Sequence, residues 1–249
     1  MSEVTRIRAG QLVDVVAGGV LRDQLLVVRG ERIESVVPDV GEPVDVDLSD
    51  HTVLPGLIDC HAHLIGEVES GHGYAGLVQR TGAQEALSGV RNARDTVMAG
   101  FTSVRDVGTF LVADVWMGDW SIEQGEREGW SPNVMRKLRE TTDVQREGFA
   151  KAVEAGVRMA FGTDSGTYPH GMNANQFASM VKYGMTPMEA IRSATVVAAE
   201  LLGWRDRVGA LEPGLFADLV AVEGDVMNDV DLLTDVAIVM KGGRVVSAT

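Results

Sequence analysis

Apolar and polar residues alternate with two different periods, which separate the ends of the chain from its middle. Residues 4–48 carry short runs of β-branched residues interrupted by glycine and charged residues, which is typical of strands and turns. Residues 206–249 follow the same pattern, and Gly242 and Gly243 indicate a hairpin turn. Each end alone has too few strands to bury a sheet face, so we expect the two ends to pair in one β-structure.

The middle of the chain alternates strand patterns with helix patterns. Apolar strand runs occupy residues 53–63, 101–107, 111–117 and 157–166, and helical spacing occupies 83–100, 132–156, 173–184 and 186–203. Ser131 and Thr186 each precede a proline at a predicted first helical position, as helix N-caps do. This alternation predicts an α/β unit whose strands are mainly parallel.

The acidity of the chain limits the classes of partner that we expect it to bind. The 249 residues include 36 Asp and Glu against 22 Lys and Arg, for a formal net charge of −14. Nucleic acids and anionic membranes require clustered basic side chains, so we expect neither as a partner. Residues 1–10 lack the apolar stretch of a signal peptide, and no apolar run approaches the roughly 18 residues of a membrane span. Cys60 is the single cysteine, so we expect no intrachain disulfide and a cytoplasmic, reducing location.

Two histidines follow an apolar strand run in the segment LIDCHAHL. His61 and His63 are two residues apart, so in a strand both side chains point to the same face. Sites in α/β folds are built at the carboxyl ends of strands. A pair of imidazoles is half of a typical zinc site. Ordinary loop hydrogen bonding stays the alternative, since an H-x-H motif alone has many chance matches.

A single aspartate ends the predicted strand at residues 157–166. Asp164 stands among the small residues Gly162, Ser165 and Gly166. A carboxylate at the end of a buried strand is costly unless it is paired or bound to metal. Asp164 therefore suits a metal ligand that also accepts a proton from the attacking water. Its alternative role is the N-cap of the following helix, and the two roles are compatible.

Five segments, in this order, resemble the amidohydrolase superfamily, with the imidazolonepropionase-like and Xaa-Pro dipeptidase branch as the nearest likeness. They are PGLIDCHAHL, GFTSVRDVG, FGTDSG, ATVVAAELLG and GALEPGLFADLVAV. The resemblance covers nearly the whole chain. It implies a metal-dependent hydrolase (β/α)8 barrel from residues 53–205, beside a composite β-sandwich from residues 1–52 and 206–249.

The resemblance also implies the roles of single residues. His61 and His63 match metal ligands of the first barrel strand, and Asp164 matches the ligand and general base of the last strand. The implied cofactor is a divalent metal, with zinc as the expected ion. His170 lies in the loop after the last strand, where it is a candidate for substrate contact, with a solvated loop histidine as the alternative.

The function implied by the resemblance is hydrolysis of a C–N bond by a metal-activated water. The substrate class implied is a small amide, a dipeptide or a cyclic amide, and the residues do not identify it further. Trp116, Trp120 and Trp130 are candidates for the lining of an apolar pocket, with core packing as the alternative for each.

The chain is short for a complete barrel of this family. Such a barrel takes about 200 residues or more, whereas residues 53–202 number 150 (202 − 53 + 1). One strand pattern ends at residue 107 and the next begins at 111, although parallel strands need a crossover of about a dozen residues. We therefore expect about half a barrel, with a block absent near Phe110 and Leu111. No residue matches the family's carboxylated lysine and two further histidines, so we expect one ion where complete members hold two.

The sequence is compatible with three alternative functions. The first is amidohydrolase activity, reduced by the absent block. The second is a catalytically impaired remnant that acts as a binding or oligomeric module. The third is nucleotide binding through Gly71–Gly76, which fits G-x-G-x-x-G but is separated from the preceding strand by a polar stretch. An incomplete barrel exposes two strand edges, so we also expect a homo-oligomer.

Overall fold

A computed structural model describes residues 3–64, 82–106 and 112–248. The described strands are β1 Val4–Asp14, β2 Gly19–Arg29, β3 Arg32–Pro38, β4 Val46–Pro55, β5 Leu57–Ala62, β6 Phe101–Asp106, β7 Val112–Ala113, β8 Ala160–Phe161, β9 Leu219–Glu223, β10 Ile238–Lys241 and β11 Arg244–Ala248. The described helices are α1 Gly82–Met98, α2 Met117–Glu128, α3 Pro132–Glu154, α4 Asn175–Lys182, α5 Pro187–Ser193 and α6 Val196–Leu201, with a 3-10 helix at Val230–Thr234.

Strands from both chain ends lie in a single seven-stranded sheet. Its order is β11-β10-β9-β4-β1-β2-β3. The β1–β4 pair is parallel, and the other neighbours are antiparallel. The pairing of β4 with β9 joins the two ends, and a cluster of buried apolar side chains from both ends, including Ile7, Leu26, Leu48 and Leu219, covers one region of the sheet. The division of the chain into a sandwich and a barrel unit stays a prediction.

The strand predicted at residues 53–63 is divided in the structure. Its first part, up to Pro55, belongs to β4 and pairs with β9, beyond the predicted sandwich boundary after residue 52. The Gly56 amide donates to the Asp218 carbonyl at 2.9 Å. A Cβ atom on Gly56 would lie 2.2 Å from Thr102 Oγ1, so only glycine allows this close approach. The chain leaves the seven-stranded sheet here and begins β5.

The remaining strands form a parallel arrangement that carries the candidate site. β5 pairs with β6, β7 pairs with β8, and both pairs are parallel. A parallel bridge between Ala62 and Ser165 joins them in the order β6-β5-β8-β7. The α/β class predicted from the sequence is confirmed, and four parallel strands of this unit lie in the described ranges. The block expected near Phe110 and Leu111, and the glycines at 71–76, lie outside the described residues.

The parallel strands are buried between two separate apolar clusters. Phe161 of β8 packs between Phe101 and Phe177, with ring centroids 5.4 and 4.5 Å away. Ile58 and Cys60 of β5 belong to the second cluster, which includes alanines of α6. Burial raises the pKa of the Cys60 thiol to about 12, so this cysteine stays protonated and unreactive at neutral pH.

Helices α1, α3 and α4 lie where the spacing predicts them. The Val134 amide donates to Ser131 Oγ at 3.4 Å at the start of α3. Thr186 and Glu189 form a capping box at the start of α5. The single helix predicted at residues 186–203 breaks at Ala194, because the Ala194 carbonyl accepts a hydrogen bond from the Ile58 amide at 2.8 Å. None of the described helices combines the length and apolarity needed to span a bilayer.

The lengths predicted for the strands at 111–117 and 157–166 are wrong. Only Val112–Ala113 and Ala160–Phe161 pair as strands in the structure. The Gln176 side chain accepts from the Val115 and Trp116 amides at 3.1 and 2.9 Å, so a side chain replaces a strand neighbour there. Helix α2 then begins at Met117, where no helix was predicted.

The C-terminal hairpin packs against the β2–β3 turn, and this contact is testable at Gly243. A Cβ atom on Gly243 would lie 2.0 Å from the Gly30 carbonyl oxygen, and its φ is 75°. We expect Gly243→Ala to lower the free energy of unfolding by about 3 kcal/mol, from backbone strain and overpacking together. Urea denaturation measures this loss.

The adjacent Gly242 provides a matched control. Its φ is 54°, and its Cβ position has the Glu31 Cγ atom as nearest neighbour, at 3.9 Å. We expect Gly242→Ala to cost only about 1 kcal/mol, from the left-handed conformation alone. Equal losses in the two variants would contradict the inferred contact between the chain ends.

Candidate metal centre

The two histidines and the aspartate singled out from the sequence lie together in the structure. The Asp164 Oδ1 atom is 3.4 Å from His61 Nε2 and 3.0 Å from His63 Nε2. One potential ligand atom from each of the three residues lies within 4.8 Å of the others. All three side chains are partly buried. This group is the one cluster of three or more His, Cys, Asp or Glu ligands found in the described ranges.

Backbone hydrogen bonds between β5 and the segment after β8 position this cluster. The His61 carbonyl accepts from the Thr163 amide at 3.2 Å and from the Asp164 amide at 2.8 Å. The His63 amide donates to the Ser165 carbonyl at 2.7 Å. The residue that carries the carboxylate is therefore bonded directly to the strand that carries the imidazoles.

Asp164 has a backbone conformation that few aspartates adopt. Its φ is 55°, in the left-handed region, which costs a non-glycine residue on the order of 1–3 kcal/mol. The Thr167 amide and hydroxyl both donate to the Asp164 carbonyl, at 3.1 and 2.7 Å, and hold this turn. Strain of this kind concentrates at functional sites, where the surrounding structure maintains it.

Two glycines leave room for the two histidines. A Cβ atom on Gly162 would lie 3.0 Å from His61 Cβ, and a Cβ atom on Gly166 would lie 2.9 Å from His63 Cβ. These glycines stand two residues before and two residues after Asp164. The small residues noted around Asp164 in the sequence thus allow the imidazoles to approach it.

A buried aspartate beneath the cluster was not singled out from the sequence. Asp59 is 0% exposed, and its carboxylate accepts from Thr163 Oγ1 at 2.5 Å, Asn173 Nδ2 at 2.8 Å and the His61 amide at 3.0 Å. Burial raises the pKa of Asp59 to about 6 against the opposing effect of these hydrogen bonds. Asp59 ties together β5, the Asp164 turn and the loop at Asn173. An acidic residue inside the apolar run GLIDC is the signal that would have revealed it.

His170 contacts the cluster through the backbone. Its Nε2 lies 3.1 Å from the His63 carbonyl, which only accepts, so this nitrogen carries the proton. Its Nδ1 lies 2.9 Å from Ser165 Oγ and 3.1 Å from Thr96 Oγ1. Burial lowers the pKa of His170, which favours this neutral form. The ring is therefore not a solvated loop histidine, and both its nitrogens bind protein atoms that support the His63 segment.

A third carboxylate lies at the same edge of the parallel strands. Asp114 follows β7, which neighbours β8, and its Oδ1 accepts from the Met117 amide at 3.4 Å. Burial, followed by the negative charge of Asp164, raises the pKa of Asp114 to about 7. Asp59, Asp114 and Asp164 thus concentrate negative charge at one edge, which suits the binding of a cation.

The donor set of the cluster fits a divalent metal ion. Two imidazole nitrogens and one carboxylate oxygen are the ligand types of catalytic zinc sites, which use three protein ligands and leave a position open. The three ligand atoms already face one another at 3.0 and 3.4 Å, so they can bind one ion with small side-chain adjustments. No further His, Cys, Asp or Glu side chain joins these three ligands in the described ranges.

Comparison with known sequences confirms the resemblance noted from the motifs. A sequence model of the amidohydrolase family matches residues 115–246, which include Asp164. The ochratoxinase of Aspergillus niger is 34% identical over 123 residues, covering 47% of this chain and 24% of that protein. The imidazolonepropionase of Klebsiella pneumoniae (strain 342) is 49% identical over 49 residues, covering 19% of this chain and 12% of that protein. The chain thus matches a quarter or less of the length of these relatives.

Solved structures share the fold at low sequence identity. A Xaa-Pro dipeptidase with methionine bound in its active site aligns with a TM-score of 0.87 and 21% identity, covering 99% of this chain and 100% of that one. The A. niger ochratoxinase aligns with a TM-score of 0.80 and 18% identity, covering 99% of this chain and 96% of that one.

The raised pKa of Asp114 predicts how stability depends on pH. Because the pKa is about 7 in the folded chain and about 3.9 in the unfolded chain, the folded chain binds more protons between these values. This group therefore lowers the free energy of unfolding as pH rises from about 4 to about 7, with no further change above. We expect Asp114→Asn to stabilise the metal-free chain more at pH 8 than at pH 5, in urea denaturation.

Asp143 is the control for this prediction. Its side chain is 71% exposed on α3, in an ion pair with Arg146. We expect Asp143→Asn to change stability by less than about 0.5 kcal/mol, as is usual for surface substitutions. A benefit of Asp114→Asn that is the same at both pH values would contradict the assignment.

Proposed function

We propose that this chain, which belongs to the amidohydrolase family, is a metal-dependent hydrolase of C–N bonds in small amide, dipeptide or cyclic amide substrates. The observation that carries the proposal is the convergence of His61, His63 and Asp164 at the carboxyl ends of neighbouring parallel strands. Relatives in this family act as hydrolases on C–N bonds. Because the chain matches a quarter or less of those relatives, the activity of the chain itself is part of the proposal.

His61, His63 and Asp164 would hold the metal, and one zinc ion is the form that three ligands favour. A bound divalent ion would polarise the scissile carbonyl and lower the pKa of the attacking water. Asp164 has a second role, because its carboxylate can accept the proton of that water and later deliver it to the leaving amine.

The residues around the ligands fix the geometry that this chemistry needs. Asp59 anchors the His61 amide and, through Thr163, the turn that carries Asp164. We assign His170 a supporting role at the His63 carbonyl in place of the substrate contact expected from the sequence. A displacement of about 1 Å at such a site lowers rates by about a hundredfold, so these anchors matter for catalysis.

A catalytically impaired module is the second candidate. It is favoured by the four parallel strands and three ligands present in the described ranges, where the family barrel has eight strands and a larger ligand set. The two candidates differ in whether the metal-loaded chain turns over substrate. Metal binding without hydrolysis would favour the impaired module.

The proposal predicts one zinc site that depends on the cluster. We expect isothermal titration of the metal-free chain to give one ion per chain. His61→Ala and Asp164→Asn should each weaken binding at least about tenfold, since each removes one of three ligands. The zinc-loaded chain should hydrolyse members of a panel of N-acyl amino acids and dipeptides, and Asp164→Asn should abolish this activity.

His51→Ala is the control, because His51 lies on β4 and is not part of the cluster. It should bind zinc like the unaltered chain. Two tight sites per chain, or binding that neither cluster variant changes, would refute the metal site.

We also propose that the chain forms a homo-oligomer. The outer edges of β6 and β7 pair with no other strand of the described residues, and unpaired edges of parallel strands invite association. We expect light scattering at micromolar concentration to give at least twice the 26.7 kDa chain mass. A monodisperse monomer would contradict this part of the proposal.

A further inference from the structure

An aromatic cluster forms around Tyr168, which lies four residues after Asp164 in the chain. Tyr168 is 1% exposed, and its ring contacts Trp116 edge-on, with centroids 4.8 Å apart. Trp120 also contacts the Tyr168 ring, with centroids 5.9 Å apart. Both tryptophans keep part of their surface exposed. The buried tyrosine thus packs against two tryptophans that are themselves partly exposed.

The backbone of Trp116 is linked to the segment between β8 and Asp164. The Gln176 side chain accepts from the Trp116 amide at 2.9 Å and donates to the Gly162 carbonyl at 2.9 Å. Gln176 is 0% exposed, so this amide bridge is shielded from water. Gly162 stands two residues before Asp164, so Trp116 borders the end of β8 where the cluster lies.

Tyr168 attaches the other side of the aromatic cluster to the same turn. The Gly166 amide donates to the Tyr168 carbonyl at 3.1 Å, and Gly166 packs against His63. Burial, and then the negative charges of Asp59, Asp114 and Asp164, raise the pKa of the Tyr168 hydroxyl.

The other aromatic residues show why Trp116 and Trp120 are distinct. Phe101, Phe161 and Phe177 are at most 2% exposed and pack in the core. Trp130 is 37% exposed and donates its indole N–H to Glu128, which satisfies its polar atom on the surface. Among the described Phe, Tyr and Trp residues, only Trp116 and Trp120 combine partial exposure with a ring contact to Tyr168, the residue that follows the Asp164 turn.

We infer that Trp116 and Trp120, supported by Tyr168, form a substrate subsite that selects an aromatic group on the amide substrate. The inference rests on the proposed function, since it names the substrate class of that site. A flat ring suits this surface because edge-to-face and offset contacts with indole add affinity beyond the burial of apolar area. An aliphatic group of equal volume would bury a similar apolar area but would lack the additional affinity of the ring contacts.

Three neutral probes separate these contributions in binding experiments. They are N-acetyl-L-phenylalanine amide, N-acetyl-L-cyclohexylalanine amide and N-acetyl-L-alanine amide, titrated calorimetrically into the metal-free and the zinc-loaded chain. We expect the phenylalanine probe to bind about tenfold more tightly than the alanine probe, and about threefold more tightly than the cyclohexyl probe. Neutral amides avoid repulsion by the acidic edge.

Substitutions test which residues cause the preference for the phenylalanine probe. Trp116→Ala and Trp120→Ala should each remove most of the preference for the phenylalanine probe, whereas Trp116→Phe and Trp120→Phe should retain much of it. Trp204→Ala is the matched control, because Trp204 is 45% exposed and stacks with Arg207, outside the aromatic cluster. The phenylalanine-substituted variants also show whether a loss of binding reflects loss of the ring or of the fold.

The outcomes distinguish this inference from the proposed function. Ring-selective binding that depends on Trp116 and Trp120, with no hydrolysis by the zinc-loaded chain, would retain the subsite and refute the hydrolase. Zinc binding and hydrolysis without ring preference would refute the subsite and retain the hydrolase. Failure of the unaltered chain to bind the phenylalanine probe, or unchanged binding in both alanine variants, would also overturn the subsite.

Discussion

The candidate site depends on one backbone interaction, the acceptance of two hydrogen bonds by the His61 carbonyl. Both the Thr163 and Asp164 amides donate to this oxygen, which no regular parallel ladder allows. The strand therefore ends at this point, and Asp164 takes the left-handed conformation that brings its carboxylate within 3.0 Å of His63. Ligand placement thus follows from the way two neighbouring strands end.

Negative charge is the second constraint, and it acts against stability. Asp59 and Asp114 are both buried enough to have raised pKa values, of about 6 and about 7. A chain with a net charge of −14 gains nothing for its fold from gathering three carboxylates at one edge. A bound cation reverses this balance, since it stabilises each neighbouring carboxylate in its charged form. The destabilising arrangement is therefore understandable as a feature of function.

Features governed by local chemistry were predictable from the sequence, and features governed by distant contacts were not. The caps at Ser131 and Thr186 act within four residues, so the pattern predicts where those helices begin. The breaks at Gly56 and Ala194 arise because Thr102 and Ile58 are close in space, which no local pattern encodes. His61, His63 and Asp164 were found because strand ends in α/β folds converge. Asp59 and Asp114 are also acidic residues within apolar runs, so the argument that identified Asp164 applies to both of them.

The aromatic subsite depends on the early end of the strand that was predicted at residues 111–117. In a strand, Trp116 would alternate with its neighbours and fill the core or the sheet surface. The Gln176 Oε1 atom instead accepts from the Val115 and Trp116 backbone amides, and the strand ends after two residues. The chain then turns into α2, which places Trp120 one helical turn beyond Trp116 and against the same tyrosine. A buried glutamine that ends a strand early thus links the Trp116 backbone to Gly162, two residues before the carboxylate that the proposed chemistry uses.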